Sequence, residues 1–441
     1  MQTEANILSK SMNPATAPAA SPKRVLSVDA LRGFDMFWII GASPMVYGLN
    51  QMTHDGLTAF MVRQLEHADW DGFHALDLVF PLFIFIMGVS MVFSLSRTLM
   101  QVGRKEALKR IFRRSLLLFV LGVFCNGGLI HRWPDVRIAG VLNRIAIVYF
   151  FAGLLFCFFK PRTLLAICAG LLAGYWALMS LFPIRNIQLE RSNLLELAQR
   201  NGDAQMAALF TATNWVNPSA VKDSPAWAAA KTLYDGTTNR ITNQYRPGLN
   251  VSDHFDFKYL PGYKYDDFAD PEGCLSTLPA VASCLLGIFA GLLLQNQRVP
   301  DRRKVIYLFA FGIAGAALGW LLGMQFPVIK RIWTSSFVLV AGGYSAILLG
   351  AFYLVVDVWR FQRWCQPFVW IGMNSITIYV AESIIGGFSN PAGRLAGGDV
   401  KYFLDTCVTR GFGDLAVSLV GLLLAFWFVR TLYRHKVFIR L

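Results

Sequence analysis

EHADWDGFHALDLVFPLFIFIMG, residues Glu66–Gly88, joins a polar segment directly to a lipid-soluble one. Its first part contains histidines, carboxylates and a tryptophan, whereas every residue from Leu78 to Met87 is apolar. Apolar runs of about 20 residues have the length that crosses the hydrocarbon core of a bilayer. The stretch therefore predicts a loop that enters a transmembrane helix. Asp77 stands at the entrance, where a charge is costly to bury.

The whole chain shares this apolar character. Of its 441 residues, 55% are hydrophobic, 14% are aromatic and only 15% are charged, which is more apolar and less charged than an ordinary soluble domain. The predicted fold class is therefore all-α, a polytopic transmembrane helix bundle of about ten spans. The candidate spans are 33–50, 76–95, 112–129, 138–159, 163–183, 277–294, 305–324, 336–356, 368–389 and 411–429.

A net charge of +14 raises the question of a nucleic-acid partner, and the placement of the charges answers it. Basic residues near span ends are most frequent on the cytoplasmic side of membrane proteins. The bias predicts both termini in the cytoplasm, and nucleic acid is not expected as a partner. The residues that carry this bias include Arg97, Arg104, Lys105, Lys109, Arg110, Arg113 and Arg114.

The pattern divides the chain into four segments. Residues 1–24 lack the apolar core of a signal peptide and are predicted to be a disordered cytoplasmic tail. Residues 25–183 hold the first five spans with the His67 loop, and residues 277–441 hold spans six to ten and a cytoplasmic tail. Between them, residues 184–276 form a long extracytoplasmic loop, which is predicted to fold as a cap because its many aromatic side chains need packing partners.

Cysteine usage leaves one question open. Most of the seven cysteines fall within predicted spans, where they act as small hydrophobic residues. Cys274 and Cys407 are predicted on the outer side, and the sequence does not settle whether they pair.

Ionisable residues within or beside the spans are rare and usually functional. The candidates are Asp35, Asp77, Arg144 and Glu382. Asp77 and Arg144 both lie near predicted outer ends of helices, so an ion pair between them is expected. The alternatives for that pair are a structural link between helices and a part of a site.

His67 lies in the outer loop between Glu66 and Asp69. A carboxylate next to an imidazole favours its charged form and fixes its tautomer, which suits a general base. A capping or surface histidine would show the same pattern, so both interpretations stand. His74 follows seven residues later, but the chain has no HxxxH motif or Cys/His cluster, and no metal is expected.

Six motifs occur in a fixed order along the chain. They are SVDALRGFDMFWIIG, HADWDGFHALDLVFPLFIFIMGVSM, VRIAGVLNRIAIVYF, DPEG, KRIWTSSFVL and WIGMNSITIYVAES. Together they resemble the heparan-alpha-glucosaminide N-acetyltransferase family, a transmembrane acyltransferase family, and in particular its bacterial NagX-like branch. The resemblance extends from about Ser27 to the C-terminus. It implies transfer of an acetyl group from cytosolic acetyl-CoA, as co-substrate, to an amino sugar or related glycan on the extracytoplasmic side.

The resemblance also implies roles for single residues. His67 matches the active-site histidine of the motif H-A-[DES]-W-[DN]-G. Asp29, Arg32 and Gly33 match D-x-x-R-G, and Gly372 to Ser375 match G-M-N-S. Family members often carry an asparagine in the first span, where this chain has Ala42 or Ser43. The Ser43 hydroxyl cannot replace both functions of an amide, so the acceptor is left open.

A mechanism follows from this resemblance and the predicted topology. His67 would act as a general base or as a transiently acetylated nucleophile, with Asp69 or Glu66 orienting the imidazole. The expected donor site is basic, because guanidinium groups bind phosphate oxygens well. Asn374 would polarise the thioester carbonyl, and Asp77 would hold the next helix through Arg144. The residues expected to bind CoA are Arg32, Arg113, Arg114, Asp29 and Ser375.

The expected partners are the lipid bilayer, CoA, a glycan acceptor and a second copy of the chain as a homodimer. The expected location is the bacterial inner membrane. An alternative function is transport of N-acetylglucosamine or an oligosaccharide through the same membrane. Transporters often contain paired broken helices, and the sequence shows only one candidate break, GASP at 41–44.

Overall fold

The structure is a computed structural model that describes residues 25–128, 130, 132, 135–211, 215–220 and 224–438. The tail predicted at 1–24 lies outside these residues. The first part of the chain forms seven α-helices, and short π-helical and 3-10 segments at Trp38–Ala42 and Ala75–Leu78 precede α2 and α4. The helices are α1 (Leu26–Phe37), α2 (Ser43–Thr53), α3 (Gly56–Gln64), α4 (Val79–Gln101), α5 (Arg104–Cys125), α6 (Val141–Phe158) and α7 (Pro161–Leu181).

The segment that the sequence predicts as a cap has its own hydrophobic core. Aromatic and aliphatic side chains such as Leu194, Phe210, Phe257 and Phe268 form it. Two short helices, α8 and α9, lie in the first half of the segment. The elements are β1 (Ile184–Arg185), α8 (Arg191–Arg200), α9 (Ala204–Thr211), α10 (Pro225–Gly236), β2 (Arg240–Ile241), β3 (Tyr245–Arg246), β4 (Leu249–Asn250) and α11 (Val251–Tyr259), with β1 antiparallel to β2 and β3 antiparallel to β4.

The last part of the chain is again helical. Its helices are α12 (Thr277–Gln295), α13 (Asp301–Gly323), α14 (Ser335–Phe352), α15 (Gln366–Met373), α16 (Ser375–Ile385), α17 (Ser389–Ala396), α18 (Asp399–Cys407) and α19 (Phe412–Arg434). A π-helical segment, Tyr353–Val358, extends α14. The all-α polytopic bundle is therefore confirmed.

Among the described residues, seven helices are long and apolar enough to cross a membrane. They are Ala75–Gln101, Val141–Phe158, Pro161–Leu181, Thr277–Gln295, Asp301–Gly323, Ser335–Val358 and Phe412–Arg434. The pair α15–α16 is bent by 74° and counts as an eighth if taken as one span.

Ten spans were predicted, and two of them differ from the others for physical reasons. The span at 33–50 is interrupted, because Gly41 has a φ of 139° and separates α1 from α2. The span at 112–129 lies on α5, whose first half is rich in Lys and Arg and whose last helical residue is Cys125. Length and apolarity therefore give seven or eight spans.

The centre of the bundle is a continuous apolar core around α4. Ile84 of α4 packs in one cluster with Tyr149 of α6, Leu285 of α12 and Phe337 of α14. All seven cysteines lie in the described part of the chain and are free. The Cys274–Cys407 bridge that the sequence left open is therefore not formed.

Helices α1 and α15 cross with their backbones in contact. A Cβ atom added at Gly33 would lie 1.7 Å from the Phe368 carbonyl oxygen, and one added at Gly372 would lie 1.9 Å from the Asp29 carbonyl oxygen. Atoms cannot approach so closely, so only glycine fits either position. This contact explains why the D-x-x-R-G and G-M-N-S motifs both contain glycine.

We expect Gly372→Ala to destabilise the bundle by about 1–3 kcal/mol or more, because the new methyl group must push two backbones apart. Thermal unfolding in detergent measures the effect. Gly170→Ala is the matched control, since Gly170 lies inside α7 with no atom within 4 Å of the added Cβ. Equal melting temperatures for the two variants would contradict this account of the crossing.

Candidate active site

His67 lies in the segment between α3 and the 3-10 turn Ala75–Leu78, and Asp77 orients it. The imidazole Nδ1 is 2.8 Å from Asp77 Oδ1. Because a carboxylate only accepts hydrogen bonds, this contact places the ring hydrogen on Nδ1 and leaves the Nε2 lone pair available as a base. The His67 side chain is 58% exposed, whereas that of Asp77 is 1% exposed. A buried anchor therefore holds an accessible imidazole.

The Asp77 carboxylate is itself held by the backbone. Its Oδ2 accepts hydrogen bonds from the amides of Ala68, at 3.1 Å, and His74, at 3.0 Å. These contacts close the loop onto the start of α4, so the position of His67 is determined by the end of a transmembrane helix.

Lys330 completes the cluster and was missed by the sequence interpretation, although it begins the KRIW motif. Its Nζ donates to Asp77 Oδ1 at 3.2 Å, and it lies 3.1 Å from His67 Nδ1 and 3.5 Å from Nε2. A β-bridge between Asp71 and Ile329 places it there. Burial lowers the pKa of Lys330, and attraction to Asp77 opposes part of that shift.

Two sequence expectations about this cluster need correction. Asp77, rather than Asp69 or Glu66, contacts the imidazole. Glu66 contributes a backbone carbonyl, which is 3.0 Å from His74 Nδ1. Both acidic residues instead line, with His67, a cavity of about 520 Å³. This cavity can admit an acceptor to the imidazole.

The expected ion pair between Asp77 and Arg144 is wrong. Arg144 is buried, and its Nη2 donates to the Pro271 carbonyl, at 2.7 Å, and to the Ser276 hydroxyl. Its guanidinium also stacks on Trp333, 4.9 Å from the ring centroid. Asp77 pairs with His67 and Lys330 instead.

The DPEG motif, residues 270–273, joins two segments of the chain close to Arg144. Arg137 donates to Asp270 at 3.0 Å and to Glu272 at 3.0 Å. Attraction to these two carboxylates raises the pKa of Arg137 against the lowering effect of its burial. The motif thus ties the segment before α6 to the start of α12.

A second cavity, of about 300 Å³, lies between α1, α4, α5, α6 and the α15–α16 bend, and we call it the arginine cavity. It is lined by Asp29, Arg32, Phe83, Met87, Ser90, Met91, Arg110, Arg114, Leu118, Leu142, Ile145, Tyr149, Gly372, Met373, Ser375, Ile376 and Phe438. Four of the five residues predicted to bind CoA are therefore brought together here, namely Asp29, Arg32, Arg114 and Ser375.

Polar groups in the arginine cavity remain available to a ligand. Arg114 Nε and the Tyr149 hydroxyl are buried without a partner among the described residues, and the Arg114 guanidinium stacks on the Tyr149 ring at 4.7 Å. Arg32 donates to the Gly372 carbonyl, at 3.3 Å, and to the Ser90 hydroxyl. Buried polar groups without partners are costly, so a polar ligand would stabilise this arrangement.

Arg113 is exposed and does not line the cavity, so the structure does not bring it together with the other four. Arg110, which the sequence interpretation did not select, lines the cavity instead. Residues four apart share one face of a helix, and Arg110 and Arg114 both reach the cavity from α5. Helical spacing could have identified Arg110 from the sequence.

Asn374 and Ser43 lie apart from both cavities. Asn374 is buried at the α15–α16 bend, where its Nδ2 donates to the Trp370 carbonyl at 3.2 Å. Ser43 donates to the Trp38 carbonyl at 3.3 Å. Neither side chain lines the His67 cavity or the arginine cavity. The proposed contact of Asn374 with a thioester therefore has no support in this conformation.

Helix α4 runs from the His67 cluster to the arginine cavity. Asp77 precedes it by two residues, and Phe83, Met87 and Ser90 line the arginine cavity. At a rise of 1.5 Å per residue, Asp77 and Ser90 are about 20 Å apart along the helix. An elongated ligand lying along α4 would span that distance.

The sequence is similar to those of known N-acetyltransferases. A family model described as heparan-alpha-glucosaminide N-acetyltransferase, catalytic, matches residues 24–202, a range that includes His67, Asp77 and Arg114. Heparan-alpha-glucosaminide N-acetyltransferase of Mus musculus is 26% identical over 413 residues, which are 88% of this chain and 57% of that protein. The Homo sapiens protein of the same name is 27% identical over 405 residues, 86% of this chain and 55% of that protein.

The chain thus spans a little over half the length of these two curated relatives. The matched domain contains His67, Asp77 and the arginines of α1 and α5. The longer matches extend the similarity over most of the chain, toward the part that supplies Lys330 and the α15–α16 bend. On these grounds the chain is similar to heparan-alpha-glucosaminide N-acetyltransferases over most of its length.

Proposed function

We propose that the protein transfers an acetyl group from acetyl-CoA to the amine of an amino sugar or related glycan. The observation that carries this proposal is the arrangement along α4, with the His67 cluster at one end and the arginine cavity deeper in the bundle. The first provides a base, and the second provides a cationic pocket. The names of the two relatives support the choice of reaction.

The arginine cavity would hold the donor. CoA carries phosphates at one end and a long flexible arm that ends in the thioester. Arg32, Arg110 and Arg114 would bind the phosphates, since guanidinium groups form charge-assisted hydrogen bonds with their oxygens. The arm would then extend along α4 toward His67.

In the proposed reaction, His67 accepts one proton from the acceptor and passes it to the leaving group. The acceptor amine attacks the thioester carbonyl carbon, a C–N bond forms, and the C–S bond breaks. His67 Nε2 takes the proton that the amine loses and returns it to the departing sulfur. Asp77 stabilises the imidazolium during this step, and Lys330 favours the negative charge that develops on the carbonyl oxygen. Transient acetylation of His67 is the alternative route.

In this proposal the donor and the acceptor bind from opposite sides of the membrane. The arginine cavity would open to the cytoplasm, where acetyl-CoA is made, while His67 and residues 184–276 would face the other side. Both termini would then be cytoplasmic, as the distribution of basic residues predicts. This topology requires α1–α2 and α5 to cross the membrane in addition to the eight elements that length and apolarity identify. A bacterial inner membrane and a homodimer, both implied by the resemblance, complete the proposed setting.

We expect the double variant Arg110→Gln/Arg114→Gln to bind CoA about 10- to 100-fold more weakly, because charged hydrogen bonds contribute about 1.5–3 kcal/mol. Isothermal titration calorimetry in lipid nanodiscs measures the dissociation constant. Arg113→Gln is the matched control, since Arg113 lies on the same helix but outside the cavity. Equal weakening in the control, or no binding to the wild-type protein, would contradict the donor site.

Transport of an amino sugar is the second candidate, and one observation favours it. Two adjacent elements are broken, α1–α2 at Gly41 and α15–α16 at Asn374, and paired broken helices are typical of transporters. The two functions differ in what happens to the sugar. Proteoliposomes loaded with acetyl-CoA and given external glucosamine should form N-acetylglucosamine if the protein is a transferase, but should accumulate unmodified glucosamine inside if it is a transporter.

A further inference from the structure

A third cavity, of about 270 Å³, lies beside α3, and we call it the Asp35 pocket. It is lined by Phe34, Asp35, Trp38, Phe60, Met61, Gln64, Leu65, Ala75, Leu76, Leu78, Val79, Leu82 and Leu348. Nearly all of these side chains are apolar. Asp35 is 1% exposed, and neither of its carboxylate oxygens has a hydrogen-bond partner among the described residues.

The Asp35 pocket is separate from the His67 cavity. Helix α3 forms a wall between them, because Ala59, Val62 and Arg63 line the His67 cavity while Phe60, Met61 and Gln64 line the Asp35 pocket. The acceptor and the donor of the proposed reaction therefore do not explain the position of Asp35.

An unpaired carboxylate in such surroundings is energetically costly. Removing a carboxylate from water costs several kcal/mol unless a cation or hydrogen-bond donors compensate it. For this reason acidic residues inside helix bundles are rare and usually mark a binding site or a pathway. The structure contains no compensating cation at Asp35 among the described residues. A bound ligand would therefore supply the positive charge that pairs with Asp35.

The other residues that line the pocket indicate which chemical class of ligand it can bind. Phe34, Trp38 and Phe60 present aromatic rings, and aromatic rings attract organic cations through their faces. A metal ion would need several oxygen ligands, whereas the pocket offers one carboxylate and the amide of Gln64, whose Oε1 already accepts from the Ala75 backbone. An organic cation fits this combination better than a metal ion.

The entrance indicates that the ligand also carries a hydrocarbon part. Phe60 and Met61 are 59% and 36% exposed, so the outer edge of the pocket is apolar. A ligand that arrives through the lipid would bury a chain against these residues, which is favourable in proportion to the apolar area covered.

We propose that the Asp35 pocket binds a hydrophobic ammonium ion. Its charged nitrogen pairs with the Asp35 carboxylate among the aromatic rings, and its hydrocarbon chain fills the apolar part toward Phe60. This binding is independent of acetyl transfer, since α3 separates the two cavities.

The test uses the full-length protein in nanodiscs of neutral lipid and dodecylammonium as the probe. Native mass spectrometry or calorimetry measures binding, and empty nanodiscs correct for partitioning into the bilayer. We expect dodecylammonium to bind the wild-type protein and to bind Asp35→Asn at least about tenfold more weakly, because the charged partner is gone. Glu382→Gln is the matched control, since Glu382 is also an acidic residue of an apolar helix but lies outside the pocket.

One neutral probe and one anionic probe distinguish a cation site from a simple hydrocarbon pocket. Dodecanol and dodecyl sulfate should bind more weakly than dodecylammonium and should not distinguish Asp35→Asn from the wild-type protein. Equal binding of dodecanol and dodecylammonium, unchanged affinity in Asp35→Asn, or no ammonium binding at all would each overturn the proposal.

A stability measurement provides a second readout. Dodecylammonium should raise the melting temperature of the wild-type protein only. If Asp35→Asn does not fold, Phe60→Ala at the exposed entrance replaces it, and unchanged ammonium affinity in that variant would overturn the proposal.

Discussion

Replacing His67 with alanine is expected to lower the rate of acetyl transfer by about 10²–10⁴-fold, the usual contribution of a positioned proton acceptor. The fold should survive, because the His67 side chain is 58% exposed and contributes little to the core. CoA binding should be unchanged, since the arginine cavity lies deeper along α4. Single-turnover assays with radiolabelled acetyl-CoA and glucosamine measure the rate, on protein of matched monodispersity.

The control for this variant is His435→Ala. His435 is an exposed histidine just after α19, and its replacement should leave the rate unchanged. A loss larger than that of a general base, together with radiolabel retained on the wild-type chain without acceptor, would identify His67 as a nucleophile. Near-normal transfer by His67→Ala would remove His67 from the mechanism altogether.

Replacing Asp77 with asparagine is expected to reduce acetyl transfer by up to about 10⁴-fold, as when an aspartate that orients a catalytic histidine is lost. The amides of Ala68 and His74 both donate to Asp77 Oδ2, so the asparagine oxygen must face them. Its NH₂ group then faces His67 Nδ1 and forces that nitrogen to accept. The ring hydrogen moves to Nε2, which can no longer take a proton.

Asparagine has the size of aspartate and keeps the two backbone contacts, but Lys330 loses its ion pair with Asp77. The melting temperature should therefore fall as well as the activity. Asp69→Asn is the matched control, since Asp69 lines the same cavity while Asp77 holds the imidazole. Rates and melting temperatures of both variants separate the two roles. If Asp69→Asn lost as much activity as Asp77→Asn, the orienting role would belong to the charge of the whole loop and not to Asp77.

Several features of the fold and site follow directly from local sequence. Long apolar runs predict helices wherever they are uninterrupted, because a helix satisfies its own backbone in lipid. His67 stands out as a histidine among carboxylates beside a span. The glycines of the two motifs around Arg32 and Asn374 also stand out, and the structure gives their reason in the contact of α1 with α15.

Contacts between distant segments were beyond sequence reasoning. Lys330 and His67 are 263 positions apart, and nothing in a hydropathy pattern states which loop meets which. The expected pair of Asp77 with Arg144 failed for this reason. Both residues were placed near outer helix ends, but each has a different neighbour, and Arg144 is used to tie α6 to the start of α12.

Long apolar runs by themselves therefore determined that this chain is a helical membrane bundle, and its motifs singled out His67 and the arginines as candidate site residues. Only the tertiary structure decided that Asp77 and Lys330 contact the imidazole, that Arg110 rather than Arg113 lines the arginine cavity, and that Asp35 has no hydrogen-bond partner among the described residues. The physical reason is that burial in lipid depends on the composition of each helix alone. Hydrogen bonds and ion pairs depend on which helices lie side by side. Many different arrangements of apolar helices are compatible with the same hydropathy pattern.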